Sequence, residues 1–183
     1  GTIIHKQENV GAVELATMSF GQSFQITPVQ MLRAVAAIVN GGKLVTPHFG
    51  LYTSSSDGSV VNEFAYSTEE EAISLQTSEM MKQILEGVVS EGGGTKAYIE
   101  GYSIGGKTAT SQKLPRGSGK YISSFIGFAP AENPQVIAMC LIDEPTGVYY
   151  GGTIAAPVVK TLYENILPYL GIERSVQLEK NSD

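Results

Sequence analysis

Apolar residues recur at helical spacing in three stretches of this chain and at strand-like density in the segments between the last two. Val29, Leu32, Ala36 and Val39 follow the three- and four-residue rhythm of an amphipathic helix. Thr27 predicts the cap of that helix, Pro28 suits its first position, and Gln30 completes a capping box. Asn40-Gly41-Gly42 stops it, and a short strand is expected over Lys43 to Val45 before Pro47. Residues 53–71 are Ser-rich and acidic and read as an exposed loop or ribbon. A second helix is predicted from Thr77 to Ser90, with Met81, Ile84, Leu85 and Val88 on one face. Gly92-Gly93-Gly94 ends it.

The period then changes. Tyr102 to Gln112 is a strand candidate rich in Gly, Thr and Ser, followed by a loop over Ser111 to Gly119. Ser123 to Ala129 and Gln135 to Asp143 read as two apolar strands, joined through Pro130 to Pro134 as a hairpin. A last helix is expected over Ile154 to Leu167, with Val159, Leu162, Tyr163 and Ile166 inward and Pro168 and Gly171 closing it. The polar tail 174–183 is expected to fray. Helix, helix, three consecutive strands and helix predict an α+β fold, an antiparallel sheet packed with helices.

Composition narrows the function. At 183 residues and 42% apolar content the chain can build one real core, and residues 1–183 are read as a single unit. Twelve Lys and Arg against eighteen Asp and Glu leave a net charge of -6. That balance disfavours nucleic acid or an anionic membrane surface as partner, since both need a basic footprint. Twenty-one glycines, many in pairs or triplets, signal a turn-rich protein. Cys140 lies inside the apolar run Val136 to Ile142 and reads as a small buried hydrophobe. A single cysteine allows no internal disulfide, and His5 and His48 stand apart from other ligand types, so neither a metal site nor another cofactor is expected. No apolar run is long enough to span a bilayer, and the opening Gly1-Thr2-Ile3-Ile4-His5 carries no signal pattern. It reads as the middle of a longer protein, with any signal or anchor expected upstream. The Met80-Met81 and Tyr149-Tyr150 pairs, together with Phe125 and Phe128, read as packing residues.

The most informative stretch is Gly101-Tyr102-Ser103-Ile104-Gly105-Gly106-Lys107-Thr108-Ala109-Thr110. Its letters satisfy G-x-x-x-x-G-K-[ST], and Asp143 at the end of an apolar strand even mimics a magnesium-binding acid. A phosphate loop, however, needs a helix to begin at Lys107-Thr108, so that its amides face the anion. The following Ala109-Thr110-Ser111-Gln112-Lys113-Leu114-Pro115-Arg116-Gly117 is a poor helix former. The competing reading puts Lys107-Thr108-Ala109 on an edge strand beside a cleft.

That second reading is carried by an ordered set of motifs. Ser19-Phe20-Gly21-Gln22, Ile26-Thr27-Pro28-Val29-Gln30 and Asn40-Gly41-Gly42 precede Gly105-Gly106-Lys107-Thr108-Ala109-Thr110-Ser111-Gln112. Ser124 to Pro130, the strand through Ile142, Gly151-Gly152 and Ala156-Pro157 follow it. This order resembles the C-terminal part of the transpeptidase domain of penicillin-binding proteins, and looks closest to the class B enzymes of division, elongation or spore formation. In that family a K-T-G strand accompanies S-x-x-K and S-x-N elements. The resemblance implies the three C-terminal strands of the penicillin-binding and serine β-lactamase fold, in an incomplete domain. It implies a parent that is a serine D,D-transpeptidase of the bacterial cell envelope, on the extracytoplasmic face. Its partners would be the D-Ala-D-Ala end of a peptidoglycan stem peptide, β-lactams that mimic it, and an acceptor amine.

Carried onto this chain, the resemblance places Lys107 and Thr108 in the catalytic centre. Thr110 and, more weakly, Gln112 would bind substrate, with Gly106 and Ala109 of the same strand also among the substrate-binding residues. Ala109 stands where the family usually has glycine, and its methyl group is expected to tilt the strand or narrow the groove. No Ser-x-x-Lys and no Ser-x-Asn occurs in the 183 residues; Ser103 and Lys107 are one residue too far apart, and Tyr163-Glu164-Asn165 falls after the lysine strand instead of before it. The isolated chain is therefore expected not to acylate. The missing N-terminal half of the domain, or a dimer through the exposed strand edge, is expected to cover what it leaves open. Two alternatives stand behind this reading: a non-catalytic envelope scaffold with the same fold and, third, the nucleotide-binding protein.

Overall fold

The computed structural model describes residues 2–69, 71–115 and 117–174. The expected fraying of the tail falls on 175–183, outside the described residues. A short helix, α1 (Ala12–Met18), precedes α2 (Pro28–Val39). The two-residue strand β1 (Leu44–Val45) pairs antiparallel with β4 (Thr68–Glu69), enclosing the ribbon formed by β2 (Tyr52–Ser54) and β3 (Val60–Glu63). Helix α3 (Leu75–Ser90) leads through a 3-10 turn at Thr95–Ala97 into the main sheet of β5 (Gly105–Gln112), β6 (Tyr121–Ala129) and β7 (Val136–Asp143). A single turn, α4 (Gly151–Ile154), and α5 (Ala156–Tyr169) complete the chain.

The main sheet has the order β5-β6-β7, all antiparallel, with unbroken register from Gly105 opposite Phe128 to Gln112 opposite Tyr121. Strand alternation sends Phe128 to one face and Phe125 to the other, and both are fully buried. Phe128 meets Val39, Leu85 and Ala131, with Val35, Ile38, Met81 and Ile137 around them. Phe125 meets Val89 of α3 together with Ala156, Val159, Tyr163 and Leu167 of α5. The sheet is thus a middle layer between α2 with the body of α3 on one side and α5 with the C-terminal end of α3 on the other. Each buried aromatic removes a large apolar surface from water, and these two rings fasten the layers together.

The cap predicted for α2 is present. The Gln30 N–H donates to the Thr27 side-chain oxygen at 3.2 Å, and the Gln30 amide oxygen accepts from the Thr27 N–H at 2.8 Å. The helical faces differ from those expected. In α2 the buried residues are Ala37 and Val39, whereas Val29 is exposed. In α3, Ser78, Lys82, Leu85 and Val89 point inward and Ile84 points out. In α5, Leu167 takes the inward place expected of Leu162. Polar residues hold inward positions because they find partners. Ser78 accepts from the Gly41 N–H at 3.0 Å, and the Lys82 ammonium reaches the Glu132 carbonyl at 2.8 Å and the Glu79 carboxylate at 2.9 Å. Cys140 is half-buried against the α5 core, and burial raises its thiol pKa.

Candidate active site

Lys107 and Thr108 sit in the middle of β5, so no helix begins at the glycine-rich motif. The amide cradle a phosphate needs is therefore missing, which overturns the nucleotide-binding reading. Asp143, its supposed metal ligand, is instead ion-paired with Lys113 at 2.9 Å.

Strand β5 is first in the sheet order and pairs only with β6 among the described residues. Its outer edge can accept an extended peptide by strand addition. Alternation places Gly106, Thr108, Thr110 and Gln112 on the face of Phe125, and Gly105, Lys107, Ala109 and Ser111 on the face of Phe128. The predicted site residues are therefore not on one surface. The two threonines and Gln112 form one row, Lys107 and Ala109 another, and the rows meet only along the strand. The Lys107 ammonium is exposed and donates to the Thr108 carbonyl at 2.9 Å.

Glycine turns bring backbone unusually close to this strand. A side-chain carbon on Gly151 would lie 2.2 Å from the Ala109 carbonyl oxygen and 2.3 Å from that of Ser124. One on Gly152 would lie 2.6 Å from the Gly93 carbonyl and 3.2 Å from the Thr108 methyl. Only glycine fits either position. Thr108 thus stands between the Gly92–Gly94 turn and the start of α4. Thr110 is fixed by the Gly151 N–H, which donates to its hydroxyl oxygen at 3.0 Å. That bond occupies an acceptor position and leaves the Thr110 O–H free to donate to an anionic group. The exposed Lys107 supplies positive charge on the adjoining row. The Thr110 O–H suits a carboxylate at the end of a peptide lying along the strand, with the Lys107 charge on the other face of β5.

Gly106 has a packing reason for its identity. A side-chain carbon there would meet the Phe125 ring at 2.5 Å and the Ile126 carbonyl at 2.7 Å. At Ala109 the ladder continues opposite Ser124 without a register shift, and the residue is exposed. Gln112 is half-buried opposite Tyr121.

Beyond Gln112 the row is continued by aromatic rings. Tyr121 stacks on Tyr149 with centroids 4.1 Å apart, and Tyr149 touches Tyr150 at 4.7 Å. The Ser123 hydroxyl donates to the Tyr149 carbonyl and ties this rim to β6. Tyr149 packs as expected, but Tyr150 is 58% exposed and lies next to Gly151 at the end of the threonine row. Sequence reasoning assigned Tyr150 to packing and Gly93 to a helix stop, not to the site. The adjacency of an aromatic pair to Gly151-Gly152 was the available signal. Ser103, too far from Lys107 in sequence to act with it, is bonded to the Glu132 carboxylate. His5 contacts the Ser23 carbonyl at 2.6 Å and His48 stacks on Tyr66. A pocket of about 110 Å³ lies elsewhere, between the end of α2 and the start of β7, lined by Ala36, Val39, Asn40 and residues 134–137.

Known proteins share both the sequence and the arrangement. Stage V sporulation protein D of Bacillus subtilis is 41% identical over 97% of this chain, which covers 28% of that protein. The probable peptidoglycan D,D-transpeptidase PenA of Neisseria flavescens is 34% identical over 93% of the chain, covering 41% of that protein. Among solved structures, penicillin-binding protein 3 of Mycobacterium tuberculosis complexed with ampicillin superimposes with a TM-score of 0.84 at 27% identity. The match takes in 97% of this chain and 42% of that one. The transpeptidase domain of Burkholderia pseudomallei penicillin-binding protein 3 gives 0.76 at 29% identity, over 94% of this chain and 51% of that one. The chain thus spans between about a quarter and a half of the length of these relatives. With residues 2–164 matching the family described as the penicillin binding protein transpeptidase domain, the chain belongs to that family.

Proposed function

We propose that this chain is the C-terminal portion of the transpeptidase domain of a peptidoglycan D,D-transpeptidase, and that it forms the lysine-strand wall of that enzyme's active site. The observation that carries the reading is β5 itself: an edge strand bearing Lys107, Thr108 and Thr110, walled by glycine turns that admit backbone but no side chain. A peptide ending in D-Ala-D-Ala lies along the strand edge. Its terminal carboxylate is met by the Thr108 and Thr110 hydroxyls and the charge of Lys107. A seryl oxygen from elsewhere in the parent attacks the penultimate carbonyl, the peptide bond breaks, and the last alanine leaves with a proton on its nitrogen. The acyl group then passes to an amine of a second stem. β-Lactams enter as donor mimics. The names of the relatives, and an ampicillin complex of one structural neighbour, support this substrate class and a place in the cell envelope.

The 183 residues contain no Ser-x-x-Lys and no Ser-x-Asn, so the nucleophile and its base belong to another part of the parent. The test is the intact mass of the full-length parent after penicillin exposure, with this chain as control. A penicilloyl adduct on the parent that maps outside residues 1–183, and none on the control, supports the reading. An adduct on a serine of this chain overturns the division of labour. No adduct on either favours the envelope scaffold that kept the fold without the chemistry.

A further inference from the structure

The loop that carries Tyr149, Tyr150 and Gly151 is held at its far end by four charged groups. Lys113 follows β5, Lys120 precedes β6, Asp143 ends β7 and Glu144 opens the loop. The Lys113 ammonium lies 2.9 Å and 3.2 Å from the two Asp143 oxygens and 2.8 Å from Glu144, while Lys120 meets the other Glu144 oxygen at 3.0 Å. A cation just past the first strand thus reaches the acid that ends the third strand and the acid that follows it. The Glu144 N–H donates to the Tyr121 carbonyl at 2.9 Å, with Glu144 in the left-handed region at φ 49°. Few residues other than glycine adopt that conformation without compensation. Here the carboxylate gains both lysines.

We propose that Lys113 and Glu144 are positioning residues for substrate binding, clamping the 144–150 loop against the ends of β5 and β6 so that Tyr150 and Gly151 stay aligned with Thr110. Isolated exposed ion pairs contribute little to global stability. A shared network that fixes one end of a seven-residue loop acts locally. Its other end is held by the Tyr121–Tyr149 stack, the Ser123 bond, the Gly151 bond to Thr110 and the Thr153 and Ile154 amides that donate to the Tyr150 carbonyl. Released at Glu144, the loop keeps those ties at the Gly151 end and loses the anchor that sets the direction of residues 144–148. Lys107 and Thr108 lie mid-strand, away from the clamp, so binding suffers and the chemical step does not.

The kinetic half of this inference rests on the transpeptidase reading, and the test separates the two. In the full-length parent, Lys113→Met and Glu144→Gln are each expected to weaken the non-covalent penicillin complex about three- to tenfold, with the acylation rate constant nearly unchanged. The double variant is expected to be no worse than either single one, and Lys113→Arg to restore binding. Hydrogen exchange at the Gly151 amide is expected to accelerate about tenfold in the first two variants and not in Lys113→Arg. Unchanged exchange, or a fall in the acylation step with binding intact, overturns the clamp. If the unsubstituted parent forms no adduct, the transpeptidase reading falls alone, and exchange at Gly151 still decides the clamp.

Discussion

Single residues of β5 divide into those fixed by packing and those free to act. Gly106 belongs to the first group, because a methyl there meets the Phe125 ring on one side and an immovable backbone carbonyl on the other. Gly106→Ala is expected to destabilise the protein by about 1–3 kcal/mol, read from the shift of the urea denaturation midpoint. Lys107 belongs to the second, being exposed with the Thr108 carbonyl as its hydrogen-bond partner among the described residues. In the parent, Lys107→Met is expected to leave the denaturation midpoint almost unchanged and to slow penicillin acylation about a hundredfold or more. A large loss of stability with normal acylation would reverse these assignments. Both glycine and lysine stood out in the sequence as a motif. What each does was not legible there, since the letters G-K-T fit a phosphate loop as well as a strand until the backbone around them is known.

At the scale of elements, the terminal network of the sheet should respond to pH. The Glu144 carboxyl is held below its ordinary value by hydrogen bonds from Lys113 and then Lys120, which outweigh desolvation. A depressed carboxyl contributes stability that is fully present above its unfolded value and lost as pH falls through the folded one. The Lys113 ammonium is raised, first by Glu144 and then by Asp143, so its contribution is present below the ordinary lysine value and lost as pH rises through the folded one. The difference in Tm between wild type and Glu144→Gln is therefore expected to be widest near neutral pH and to close at acidic pH, as calorimetry would show. A difference independent of pH would exclude the charge as its source. Helix α2 offers a second check, because its box at Thr27 and Gln30 was readable from four consecutive residues. Thr27→Ala is expected to cost about 1 kcal/mol. The inward faces of α2, α3 and α5 were less legible. Their apolar residues cover more than one stripe, and which stripe turns inward is set by Phe125 and Phe128 on a strand far away in sequence.

For the molecule as a whole, neither outer strand of the main sheet has a further strand paired to it among the described residues, and several apolar side chains of α2 and α3 are exposed, among them Val29, Leu75 and Ile84. Exposed apolar area beside an open strand edge invites association. The isolated chain is expected to sediment as a dimer or larger species, and to become a single complex when co-expressed with the remainder of the domain. A monomer that ignores the remainder would remove this expectation.

The sequence alone determined the local devices: the α2 cap, the glycine stops at residues 40–42 and 92–94, the three strands and their α+β order, and the absence of any Ser-x-x-Lys. These depend on residues within a few positions of one another, so spacing reveals them. Tertiary structure decided that Thr108, Thr110 and Gln112 form one row and Lys107 and Ala109 another. It also set Gly151 against Thr110, Tyr150 at the end of that row, and Lys113 across the sheet from Glu144. Those pairs lie between 31 and 41 residues apart, or depend on which face of a strand is buried. Only the closed register of β5, β6 and β7 brings them together.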